Sequence, residues 1–393
     1  MDTQLQDLIG IVNEARKHSL GIETKIQYEI LDRIKLLKRG GEQLTEAVSH
    51  IAAQSGIILP SLNNSRPFEP SYSVEIGPNP DELRERVDRS YKHLYNPFRY
   101  YEAFIDELLQ IKDVELRPLY EVATLAANGK KIIGLRHDID EDPVTGLRAA
   151  RYLAQRAVCG SFYLLHTSHY YGKFCHGVFI RNPKLPQWVK GFVVSGCEVG
   201  IHNDALGVFL TRDADGVVAL KTEIAWLRSQ GAAIKGSVAH NSPPLYGAGN
   251  EEIFRGRVYW GRQVSTPNGL ILPLGTVSES ELGLTYEGTF STRKREFDVR
   301  KAEEFVESFE PDAVRSGTWM RQLLLDNPCC DYSVDYQFWL VGKDSWVAAG
   351  RFGENELFEW KVSASRVIEI VGSLPPNTKS LMVIHPCYVS GGG

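Results

Sequence analysis

The sequence predicts an α/β protein built on a parallel sheet, with its chemistry at the carboxyl ends of the strands. Three observations carry that expectation. An apolar run of strand length, Lys131-Ile132-Ile133-Gly134-Leu135, stops at a knot of ionisable side chains, Arg136-His137-Asp138-Ile139-Asp140. The same pattern returns three times, where Glu198 to Ile201 runs into His202-Asn203-Asp204, Ala233 to Val238 into Ala239-His240-Asn241, and Leu381 to Ile384 into His385-Pro386-Cys387. Between the first two of these runs, Asp142-Pro143 opens a helix to about Val158, with Val144, Leu147, Ala150, Ala154 and Ala157 on one face. Gly160 to Leu165 then reads as a strand, so β-α-β is the natural unit. In such folds the loops beyond the carboxyl ends of the strands hold the functional groups, and four histidine-bearing ends that converge make one pocket.

At 393 residues the chain is long enough for a barrel of about 250 residues plus an appendage. Hydrophobic residues at 43% and charged ones at 24% are ordinary for a globular protein with a large core. A formal charge of -5 gives no reason to expect nucleic acid or an anionic membrane as partner, which leaves a small or saccharide-sized substrate. The first residues, Met1 to Leu8, are polar and acidic and lack the basic and apolar regions of an export signal. No membrane-length apolar run follows, so no membrane span and a cytoplasmic location are expected. Six cysteines (159, 175, 197, 329, 330 and 387) form no Cys-x-x-Cys pair and read as reduced thiols.

Residues 1–90 are expected to be a helical amino-terminal region and linker, and 91–393 the catalytic body. Apolar residues fall at helical spacing from Thr3 to about Leu37, with a break at Ser19-Leu20-Gly21. A second helix covers about Thr45 to Gln54, and Pro60 to Ser71 reads as irregular linker. This front section shows no chemistry and suits packing or self-association, so a homo-oligomer formed through these helices is one expected partner. Asn79-Pro80-Asp81-Glu82 starts a charged helix to about His93, and Arg99 to Ile111 forms the next, with Tyr100, Phe104, Leu108 and Leu109 as its apolar stripe. Gly172 to Gln187 reads as an inserted loop near the pocket mouth. Val217 to Ser229 reads as a helix, Asn241 to Arg257 as loop, Val258 to Val277 as one or two short strands, and Lys301 to Glu307 and Ser363 to Val371 as helices.

Asp138 and Asp140 share one side of an extended segment, so two carboxylates occupy one small volume, an arrangement that calls for a cation or a shared proton. Together with the order of the later motifs, these residues resemble the polysaccharide deacetylase superfamily (NodB homology, carbohydrate esterase family 4), in its divergent Arg-His-Asp-x-Asp branch. The likeness runs from about Tyr95 to the end. It implies a distorted (β/α) barrel, here with a helical N-terminal extension, a divalent metal, and hydrolysis of an N-acetyl or related amide. By the resemblance Asp138 matches the general base, Asp140 and His202 match metal ligands, and His385 matches the general acid. Asp335 loosely matches an aspartate that orients a catalytic partner. The second histidine of the family's His-x-x-x-His motif falls at Leu206, which binds no metal; His240 is the preferred replacement and Asp204 the second.

The chemistry stands beside the name. One carboxylate and two imidazoles suit zinc and leave a position open, while an amide needs both a polarised carbonyl and an activated water. Asp138 would take the water's proton and His385 would protonate the departing amine. Arg136 would orient Asp138 or hold a sugar oxygen. His137 would pack beneath the site. His166, His169, Cys175 and His176 fit no standard zinc spacing and read as a strand-end loop. Trp188, Trp260, Trp319, Trp339 and Trp346 either stack on sugar rings or belong to the core. The expected substrate is an N-acetylated sugar. The alternatives are a cyclic amide, opened as allantoinase-like relatives do, or a barrel that binds glycan without catalysis.

Overall fold

The structure is a computed structural model that describes residues 73–76, 95–122, 124–175, 178–211, 214–240, 248–257, 271–289, 319–324, 335–352 and 356–390. In chain order its elements are β1 (Ser73–Ile76), α1 (Phe98–Gln110), β2 (Val114–Arg117), α2 (Leu119–Val122), β3 (Lys131–Ile139), α3 (Pro143–Gln155) and β4 (Ser161–Leu165). There follow β5 (Gly172–Cys175), β6 (Val178–Arg181), α4 (Leu185–Val194), β7 (Glu198–Asn203), α5 (Ala205–Thr211), α6 (Gly216–Ser229) and β8 (Gly236–Ala239). The last are β9 (Tyr286–Glu287), β10 (Trp319–Leu324), β11 (Tyr336–Gly342), β12 (Ser345–Phe352), β13 (Glu356–Val362), α7 (Ala364–Ser373) and β14 (Lys379–Ile384).

The protein is a mixed α/β structure around a mostly parallel sheet. Its order is β10-β13-β12-β11-β14-β3-β4-β7-β8-β9, with β2 alongside the start of β3. The stretch from β11 to β9 is parallel throughout, as the β-α-β reading requires. Helices begin where the sequence signals them. Asp142 accepts from Val144 N and Thr145 N ahead of Pro143, Asp215 accepts from Val217 N and Val218 N, and Ser363 accepts from Arg366 N.

Alternation along β3 sorts its side chains to two faces. Ile133, Leu135 and Ile139 join the larger core, with Ile105 and Leu108 of α1, Leu153 of α3 and Phe192 of α4. Ile132 lies in a second, smaller cluster with Leu119, Val122, Tyr163, Val238, Tyr286, Leu381 and Val383. Each such fully buried side chain contributes roughly 1.5–3 kcal/mol. Gly200 makes the second cluster possible, since a Cβ there would overlap the Tyr163 ring. The sheet curves strongly around this face. Arg136 Nη1 reaches Gly288 O at 3.5 Å, just past β9, although β4, β7 and β8 intervene. In a flat sheet the two strands would lie about 19 Å apart, at about 4.8 Å per strand, beyond the reach of an arginine side chain.

Several expectations change. Gly172 to Gln187 is not a loop but the β5–β6 hairpin and the start of α4, and β6 pairs in parallel with β1. The antiparallel run β11-β12-β13-β10 extends the sheet where no strand was expected. Of the segment expected as strands from Val258 to Val277, residues 258–270 lie outside the described residues, and Val277 makes an isolated bridge to Phe254. The helices expected at 3–37, 45–54, 79–93 and 301–307 lie outside the described residues. Among the described residues no helix is long and apolar enough to cross a membrane.

Candidate metal centre

The carboxyl ends of β3, β4, β7, β8 and β14 meet on the inner side of the curved sheet. Asp138 and Asp140 come from β3 and the residue after it, His202 from β7, His240 from the residue after β8, and His385 from the residue after β14. Asp140, His202 and His240 each offer one ligand atom, and these atoms all lie within 4.8 Å of one another. The two imidazoles stand edge to face, with centroids 5.1 Å apart.

The protonation geometry fits a cation among them. His202 Nδ1 donates to Val238 O at 2.9 Å, since a carbonyl can only accept, and the neutral ring therefore carries its lone pair on Nε2. That Nε2 faces Asp140 Oδ1 at 3.3 Å, yet Asp140 Oδ1 is buried without a hydrogen-bond partner. Two acceptors at this distance are satisfied together by a shared positive ion. One carboxylate and two imidazoles form the donor set of a divalent metal such as zinc.

The charges around this point are mutually dependent. Burial works to raise the Asp140 pKa, but His385, His202 and His240 outweigh it and hold the carboxyl well below its usual range. Asp138 is likewise held low against burial, first by Arg136 and then by His202. Arg136 grips it with a buried fork, Nε to Oδ1 at 2.7 Å and Nη2 to Oδ2 at 2.6 Å. Burial opposes charge on His240, but Asp204, backed by Asp140 and Asp138, pushes its pKa up to about 9. His240 Nδ1 lies 3.8 Å from Asp204 Oδ2.

His385 completes the cluster, its Nε2 3.5 Å from Asp140 Oδ2 and 3.9 Å from Asp138 Oδ2. Asp335 does not join it. This residue lies at the opposite, amino-terminal edge of the sheet, where its Oδ2 accepts from Lys379 N at 3.0 Å at the start of β14. Six residues of strand at about 3.3 Å each separate that point from His385, so Asp335 ties β11 to β14 instead of orienting a catalytic group.

Other expectations resolve into packing. His137 points to the opposite face from Asp138, stacks on Phe162 at 4.2 Å and pairs with Tyr101 Oη at 2.9 Å; burial lowers its pKa to about 4. His166 is also buried, and its Nε2 accepts from Asp204 N at 3.0 Å. Trp188 and Trp346 belong to the core, Trp346 stacked on Phe104. Leu206 is a core residue too, so the expected second histidine position does not serve the cluster. Asp204 is second to His240 in a different sense from the one expected: it stands behind the imidazole. Thr167 and Asn250, which hold Asp204, had no sequence signal beyond lying after strand-like runs.

Compared with protein-family models, with curated proteins and with solved structures, the chain matches none.

Proposed function

We propose that the protein is a metal-dependent amide hydrolase that removes an N-acetyl or related acyl group from an amino sugar or glycoconjugate intermediate, and that its curved sheet is a distorted barrel of the polysaccharide deacetylase type. The observation that carries the reading is the convergence of Asp140, His202 and His240 on one point, with Asp138 and His385 flanking it. Asp140, His202 and His240 would hold a divalent cation, which would supply Lewis acidity toward an amide carbonyl and a water. Asp138, kept anionic and aimed by Arg136, accepts the proton that water loses as it attacks. His385, beside both Asp138 and Asp140 and partly exposed, delivers a proton to the nitrogen as the carbon–nitrogen bond breaks. Without that proton an amide anion is too poor a leaving group, and the addition reverses.

The test is an amine- and acetate-release assay on N-acetylated amino sugars with zinc-loaded protein. Asp138→Asn and His385→Ala are expected to lower kcat by about 10²- to 10⁴-fold while zinc stays bound. A protein that binds no zinc, or that binds zinc and opens cyclic amides but releases no sugar amine, would overturn it.

A further inference from the structure

We infer that Asp204 is the positioning residue that turns His240 into a metal ligand. The inference rests on the reading of Asp140, His202 and His240 as a metal centre. The two imidazoles of that centre are oriented by different devices. His202 has its Nδ1 fixed by the Val238 carbonyl at 2.9 Å. His240 faces a carboxylate, with Nδ1 3.8 Å from Asp204 Oδ2, within ion-pair range; a proton held on that side of the ring puts the lone pair on Nε2.

Asp204 is itself built into place. Thr167 Oγ1 donates to its Oδ2 at 2.7 Å and Asn250 Nδ2 to its Oδ1 at 3.1 Å. The same Asn250 Nδ2 also lies 3.2 Å from His240 O, so one side chain ties the carboxylate and the histidine backbone together. Gly207 leaves room for this, because a Cβ there would overlap the Asp204 carboxyl. Capping of α5 alone would not require donors from beyond β4 and from the segment after β8. Charge points the same way. The Asp138 charge is matched by Arg136, while Asp140 and Asp204 each set a carboxylate beside the His202–His240 pair, one on either imidazole.

The experiment is a double-mutant cycle read as zinc affinity by chelator competition, with folding of each metal-free variant checked by thermal unfolding. Asp204→Asn is expected to weaken zinc binding about 10- to 100-fold in the parent chain. In the His240→Ala background it is expected to do nothing further, because the histidine it orients is gone. Thr167→Val, which removes one donor to Asp204 and leaves its charge, is expected to show the same dependence on His240 with a smaller loss. Equal losses in both backgrounds, or no loss in the parent, would overturn the inference while leaving the metal centre standing. If the parent chain binds zinc no better than His202→Ala, the metal centre fails and this inference fails with it.

Discussion

Arg136 and Asp138 sit two residues apart on one face of β3, joined by two hydrogen bonds of 2.7 and 2.6 Å, and both are buried. The pair is local by construction, because period-2 alternation brings residues i and i+2 to the same side. Truncating the arginine strands a buried carboxylate, at a cost of about 3–5 kcal/mol. Arg136→Gln is therefore expected to destabilise the fold by that order in urea titration. It also removes the largest influence that lowers the Asp138 pKa. The acid limb of the activity profile should move to higher pH, and an unmoved limb would show that Asp138 is not the proton acceptor.

Metal binding should stabilise the folded chain, since the triad does not exist when it unfolds. At free zinc about 1,000 times the dissociation constant, the gain is about 4 kcal/mol. Thermal unfolding with zinc and with a chelator measures it. His202→Ala and Asp140→Asn are expected to abolish the difference; if either retains it in full, the ion binds elsewhere.

The parts of this arrangement legible in the sequence were those set by strand ends. Asp138, Asp140, His202, His240 and His385 each close an apolar run, and a parallel sheet collects such ends on one edge whatever the details of its packing. Asp335 could not be judged that way. It precedes β11, and only the parallel register of β11 with β14 shows that it faces the wrong edge. The meander was legible in principle, since Phe338 and Leu340 are buried between less buried neighbours and Lys343-Asp344 turns the chain. Asp204 behind His240 was not, because their approach depends on how β7 and β8 pair and curve.

His240 gives the metal-free protein a distinctive pH dependence. Its pKa rises from the ordinary 6.5 to about 9 in the folded chain, where Asp204 and Asp140 outweigh burial. A raised pKa means that the folded state binds the proton more tightly. The resulting stability is fully present below about pH 6.5 and is lost as pH rises through about 9. Urea midpoints of the chelator-treated protein should fall across that window, and His240→Gln should flatten this part of the curve. Zinc must displace the same proton, so its uptake at pH 7 should release close to one proton, measurable by calorimetry in buffers of different ionisation enthalpy.

Asp335 and His137 provide the contrast that separates site from scaffold. Asp335→Asn keeps an acceptor for Lys379 N and should change neither zinc affinity nor turnover. His137→Phe replaces a neutral, buried imidazole that stacks on Phe162 and meets Tyr101 Oη. The new ring preserves the stack but leaves the Tyr101 hydroxyl without that partner in the core, at a cost of about 1–3 kcal/mol. Unfolding should therefore shift while the pH profile and kcat of the folded enzyme stay as they were. A changed pH profile would mean that His137, one residue from Asp138 but on the other face of β3, takes part in the proton transfers after all.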